Sequence, residues 1–162
     1  MPKILVAGIT EKHVSAIPDV LRMAGYDVLE SADSKTAFQF VLEEAPALIV
    51  AKSNLPQLDG LGFLHIIRKH PQFALTPLIF LVETEGWDEV RRMMTAGADD
   101  FLFSTCTDAE LLYVVESRLK RAALVRDFLK QTTPVHEAGS PSQERQVMEE
   151  LLSGRNMHRY GK

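Results

Sequence analysis

Lys52 follows directly on the apolar run Ala47, Leu48, Ile49, Val50 and Ala51. An amine at the end of such a run has two ordinary uses. Its long stem can carry the ammonium out to water, or the charge can pair with a carboxylate, for which Glu11 and Glu83, each just beyond another apolar run, are the candidates. Glu11 and Glu83 together would make a poor metal site, because Lys52 repels a divalent cation; no metal and no cofactor is expected. The other reactive residue types are scattered. Cys106 is the single cysteine, and His13, His65, His70, His136 and His158 show neither ligand spacing nor a nucleophile beside them, so surface or helix-cap positions are expected. Ala7-Gly8-Ile9-Thr10, after the first apolar run, offers one glycine and no phosphate cradle, which speaks against a flavodoxin-like enzyme or nucleotide binder. No catalytic residue is assigned.

The elements that position these residues follow from composition and periodicity. The 162 residues suffice for one ordinary domain and a short appendage. With 46% hydrophobic and 25% charged residues, and no apolar run of bilayer length, no membrane span is expected. The start of the chain carries no leader pattern, and a cytoplasmic location is expected. A net charge of -4 argues against a large phosphate-binding face, although residues 155–162 are locally basic; DNA is expected to be reached only through a domain outside this chain.

Strand-length apolar runs lie at residues 4–7, 26–29, 47–51, 78–82 and 101–103, with helical spacing between them. The pattern predicts a doubly wound α/β fold with a five-stranded parallel sheet. Asp33 or Ser34 is placed to cap the second helix, Gly25 to end the first, and Pro46 and Pro71 stand just past helix ends. Pro18 requires the first helix to start late or to kink. The fifth helix is predicted over residues 108–130, with Leu111, Leu112, Val115, Leu119, Ala122, Val125 and Leu129 inward. At ~1.5 Å per residue it outruns one small sheet, so its last two turns should project or pair. Composition then shifts. The expected organisation is a domain over 1–130, a Pro/Gly-containing linker over 131–141, and a helix and tail over 142–162.

Five segments in order make the reading specific: Lys3-Ile4-Leu5-Val6-Ala7, Ala24-Gly25-Tyr26-Asp27-Val28, Asn54-Leu55-Pro56-Gln57-Leu58-Asp59-Gly60, Pro77-Leu78-Ile79-Phe80-Leu81 and Gly97-Ala98-Asp99-Asp100-Phe101-Leu102. Together they resemble the landmarks of bacterial response-regulator receiver domains over residues 3–121. The resemblance implies an acidic pair after the first strand to hold Mg²⁺, but those positions are Gly8 and Ile9. It implies a phosphoacceptor aspartate at the end of the third strand, where Lys52 stands, a hydroxyl after the fourth, where Val82 stands, and a lysine after the fifth, where Ser104 stands. An amine cannot form an acyl phosphate, and phosphoryl transfer depends on charge neutralisation that these residues do not supply. The chain therefore resembles a degenerate receiver. The alternative is an active receiver with a displaced phosphoacceptor.

Phe101 matches the aromatic switch position of the family; without a hydroxyl at Val82 it is expected to be an ordinary core or rim aromatic. Trp87 is expected to open the fourth helix, either covering apolar surface or anchoring a partner. The face that this family often uses implies a homodimer through the fourth helix, fifth strand and fifth helix, with Trp87, Leu112, Ala122, Val125, Phe128 and Leu129 as interface candidates; a signalling protein is a further candidate partner. Residues 155–162, Arg-Asn-Met-His-Arg-Tyr-Gly-Lys after a short helix, are similar to the start of the cyclic-nucleotide-binding barrel in regulators related to the cyclic-AMP receptor protein. That likeness implies a transcription regulator with a receiver at its amino end.

Overall fold

The computed structural model describes residues 1–9, 16–83 and 85–132, together with 145, 146 and 149. Five strands and five helices alternate: β1 (Lys3–Ala7), α1 (Ala16–Met23), β2 (Asp27–Ser31), α2 (Ser34–Glu44), β3 (Leu48–Lys52), α3 (Gly60–Lys69), β4 (Leu78–Val82), α4 (Trp87–Ala96), β5 (Asp100–Phe103) and α5 (Asp108–Thr132). All four strand pairings are parallel and the order is β2-β1-β3-β4-β5, the doubly wound arrangement that the apolar runs predict.

The alternation of strand side chains divides the core in two. Leu5, Ala7, Ile49, Ala51, Leu78, Phe80 and Val82 pack under α2, α3 and α4. Ile4, Val6, Leu48, Val50, Ile79, Leu81 and Leu102 pack under α1 and α5. The central strands β3 and β4 are buried along their whole length, which is why their sequences read as continuous apolar runs.

Local signals behave as their chemistry requires. Asp33 caps α2, accepting from the Thr36 N–H at 2.7 Å, and Asp59 caps α3 through the Gly62 N–H at 2.8 Å. Pro18 is the third residue of α1, so the helix starts late, where the missing N–H costs no bond. Gly25, at φ +96°, follows α1. β2 lies one to two residues later than the apolar run suggests, because Glu30 and Ser31 continue its pairing with Val6 and Ala7. α5 runs through Thr132, so the first two residues assigned to a linker are helical; the rest of that linker and almost all of 142–162 lie outside the described residues. A reciprocal cap starts α5: the Thr107 N–H donates to Glu110 Oε2 at 2.8 Å, and the Glu110 N–H donates to Thr107 Oγ1 at 3.2 Å.

Arg68 ties α3 to the turns that lead into β4 and β5. Its guanidinium donates to the carbonyls of Gly97 and Thr76 and to Asp99 Oδ2, at 3.0, 2.7 and 2.6 Å, and the same carboxylate oxygen accepts from the Leu78 N–H at 2.8 Å. This network holds the turn into β5. On the other side of that strand, Arg118 of α5 donates to Asp100 Oδ2 at 3.0 Å.

Candidate functional site at the carboxyl edge of the sheet

In a doubly wound sheet the carboxyl ends of the strands converge on one edge. Register brings the sequence-selected positions together there. Ala7 pairs with Ala51, Lys52 with Leu81, and Val82 with Phe103, so Gly8, Lys52, Val82 and Ser104 stand side by side across four strands. Backbone bonds fix the row: the Gly8 N–H donates to Ser31 O at 2.8 Å, the Ser53 N–H to Leu81 O at 3.0 Å, and the Ser104 N–H to Val82 O at 2.8 Å.

Lys52 does not extend into water. It is only 4% exposed, which corrects the reading of a solvated strand-end lysine. Its stem lies against Gly8. A Cβ at position 8 would sit 3.0 Å from Lys52 Cβ, 3.3 Å from Lys52 Cγ and 2.9 Å from Leu55 Cδ2, and Gly8 has φ +88°, a conformation that side-chain-bearing residues rarely adopt. The glycine and the lysine therefore fit one another. Of the two carboxylates considered for Lys52, Glu11 lies outside the described residues. Glu83 is exposed, with Oε1 3.5 Å from Ser104 Oγ.

Ser104 directs its hydroxyl to Val82 O at 3.1 Å. Val82 is buried in the core under α2, α3 and α4. The loop between β3 and α3 is anchored to α2, where Ser34 Oγ donates to Pro56 O at 2.9 Å. Gly60 lets that loop close: a Cβ there would lie 2.8 Å from both Phe80 Cε1 and Ser53 O. Mg²⁺ needs a hard oxygen cage. Here Gly8 supplies no side-chain oxygen, and the space its Cβ would occupy is hemmed in by the Lys52 stem and Leu55, so these residues do not fit the ion. Among the described residues no group of three His, Cys, Asp or Glu side chains is placed to hold a metal.

Phe101 is partly buried against the core and belongs to an aromatic trio. Its ring meets Phe103 edge-on at 5.5 Å between centroids and Trp87 at 5.9 Å, and Trp87 meets Phe103 at 5.3 Å. Trp87 opens α4 and remains 63% exposed. Sequence reasoning misses Phe103 as a member of this group, although strand alternation places residues 101 and 103 on one face. Leu112 is partly buried against the α1/α5 side of the core. Ala122 and Val125 are partly covered, and Phe128 and Leu129 are exposed. Among the histidines, His70 is the C-cap residue of α3, one of the two expected positions, and is buried and stacked on Phe73 at 4.8 Å; His65 is partly exposed on the same helix. His13, His136 and His158 lie outside the described residues.

Cys106 is half-buried, and burial, reinforced by the nearby Glu110 and Asp108 carboxylates, pushes its thiol above the usual range. The thiolate is the reactive form. Iodoacetamide at mildly alkaline pH is therefore expected to label the folded chain several-fold more slowly than the urea-unfolded chain, read by intact mass. Equal rates would show that the fold does not suppress the thiolate.

Comparison with known proteins places this fold in one class. The family model described as the response regulator receiver domain matches residues 4–116, and the chain belongs to that family. Transcriptional regulatory protein PrrA of Mycobacterium tuberculosis is 28% identical over 120 residues, covering 74% of this chain and 51% of that protein. Transcriptional regulatory protein HprR of Escherichia coli is 29% identical over 119 residues, with 74% and 52% covered. The matched part of the chain thus spans about half the length of these relatives. Among solved structures, the receiver domain of the Francisella response regulator 1452 superposes with a TM-score of 0.67 at 30% identity, covering 75% of this chain and 98% of that one. No helix among the described residues is long and apolar enough to cross a membrane.

Proposed function

We propose that this chain is a receiver-type signalling module that does not accept a phosphoryl group and acts through protein contacts, regulating transcription through a further domain. The observation that carries the reading is the Lys52–Gly8 fit. Where the family resemblance implies a phosphoacceptor carboxylate, a buried lysine packs its stem against a glycine, itself standing where a metal-binding acid is implied. Val82 and Ser104 compound the loss, the one having no hydroxyl and the other no charge. Phosphoryl transfer works by positioning and neutralising charge, and none of these four residues contributes an acceptor or a metal ligand. The transcriptional part rests on the relatives, which are named as regulators and are about twice as long as the matched segment. The likeness of residues 155–162 to the start of a cyclic-nucleotide-binding barrel suits the same layout. The partner set in this reading is a second copy, through the fourth helix, fifth strand and fifth helix, and a signalling protein.

Incubation with acetyl phosphate and Mg²⁺ is expected to leave the intact mass unchanged. A stable gain of one phosphoryl group, lost on substituting a residue at the carboxyl edge of the sheet, would overturn the reading in favour of a displaced phosphoacceptor.

A further inference from the structure

Leu119 is the last residue of α5 that packs on the core, yet the helix runs on to Thr132. Its two sides differ there. Leu124 and Phe128 stand largely in water, whereas Ala122 and Val125 are half-buried without reaching the core. Ala122, Val125 and Leu129 prolong the inward line of Leu111 and Val115 at helical spacing, so the covered side past the end of the sheet is the inward one. Charge is left over on the same stretch. Between residues 121 and 132 the bases Arg121, Arg126 and Lys130 meet one acid, Asp127. Among the described residues no ion pair engages these three bases.

We infer that residues 142–152 return along α5 as the second helix of an antiparallel hairpin and occupy this inward side. The lengths match. At ~1.5 Å per residue a helix over 142–152 extends about 16 Å, the same as α5 from Arg121 to Thr132. The intervening residues 133–141 can span up to roughly 30 Å when extended, ample for the turn. The faces match as well. Arg145, Gln146 and Glu149 are helical and exposed, and on a helix Val147, Met148 and Leu151 fall on the opposite side from them. Glu144, Glu149 and Glu150 against the single base Arg145 complement the bases left over on α5. Leu124 and Phe128, on the outer side, stay open to a second copy, so the hairpin and the dimer face coexist. The hairpin brings the chain after Leu152 back beside Arg121, which holds whatever follows against the receiver domain rather than beyond the tip of α5. This goes beyond the contact-module reading and does not depend on it.

Disulfide cross-linking of the full chain tests the hairpin, in a Cys106→Ser background that removes the single native thiol. Antiparallel register sets Ala122 beside Leu151. On mild oxidation Ala122→Cys/Leu151→Cys is expected to close within one chain, read as a faster-migrating monomer on non-reducing electrophoresis. Its rate should stay constant over about a hundredfold dilution, because the effective concentration of a tethered pair is on the order of millimolar. Leu124→Cys/Leu151→Cys, on the outer side, is expected to close roughly tenfold more slowly, and Val147→Asp to slow the inner pair by a similar factor. Far-UV circular dichroism checks that each variant is folded. No closure of the inner pair, equal closure of inner and outer pairs, closure only between chains, or indifference to Val147→Asp would each overturn the inference. Leu124→Glu/Phe128→Glu should leave the inner closure unchanged, so a missing dimer is distinguishable from a missing hairpin.

Discussion

Gly8→Ala is expected to lower the free energy of unfolding by about 2–4 kcal/mol, a large effect for one methyl group. Two costs combine. At φ +88° any Cβ is strained, which for a non-glycine residue costs on the order of 1–3 kcal/mol. The methyl would also enter space held by Leu55 and the Lys52 stem, and overpacking of this kind costs typically about 1–3 kcal/mol. The second cost is separable. Lys52→Ala removes Cγ and everything beyond it, so Gly8→Ala should cost on the order of 1 kcal/mol less in the Lys52→Ala background. Urea unfolding of the four proteins in this cycle measures the coupling. Strict additivity would mean that the lysine stem beyond Cβ is not what the glycine accommodates.

The same geometry explains why single reversions at this edge should fail. Lys52→Asp restores a carboxylate, but it leaves Gly8, Ile9, Val82 and Ser104 unchanged, and groups that act as a unit in a reaction are strongly non-additive. Adding an acid at position 8 meets both the φ and the packing. The expected outcome is no acetyl phosphate labelling of Lys52→Asp, with labelling at a rate ordinary for receivers as the contrary result.

Much of this architecture is legible in the amino-acid sequence. Apolar runs bounded by Pro and Gly locate every strand to within two residues, because β1, β3 and β4 are buried on both faces and admit few polar residues. The positions along the carboxyl edge are legible because parallel register brings strand ends together. What escapes depends on side-chain direction and on contacts distant in sequence. Nothing local says that Lys52 stays buried; that follows from the absent side chain at Gly8, a neighbour only through β1–β3 pairing. The three-way bonding of Arg68 joins residues 68, 76, 97 and 99, and no short motif spells it out. His70 is legible as a helix cap, but its burial is not, because the stacking on Phe73 arises in the turn after α3. The cap at Thr107 and Glu110 is within reach, since a threonine three residues before a glutamate at a helix start is a recognised signature.

The long α5 helix is expected to hold two copies of the chain together. Its 25 residues extend about 37 Å, yet only Leu111 and Val115 are buried, with Leu112, Val114 and Leu119 partly covered. Beyond Arg121 the helix carries Leu124 and Phe128 at 66% and 64% exposure, with Leu129 beside them. Burying a leucine or phenylalanine side chain contributes about 1.5–3 kcal/mol, so a second helix covering this surface gains substantially. The competing cover is the segment over 142–152, folding back from the same chain. Sedimentation of residues 1–162 separates the two. The intact chain is expected to sediment as a dimer, and Leu124→Glu/Phe128→Glu to sediment as a monomer with its melting temperature nearly unchanged. The dissociation constant should rise at least a hundredfold, given about 1.4 kcal/mol per tenfold change. Truncation after Arg121 should also give a folded monomer. If the intact chain instead stays monomeric at high concentration, and both changes merely lower its melting temperature, then the exposed stripe is covered within one chain and the helix is an internal prop.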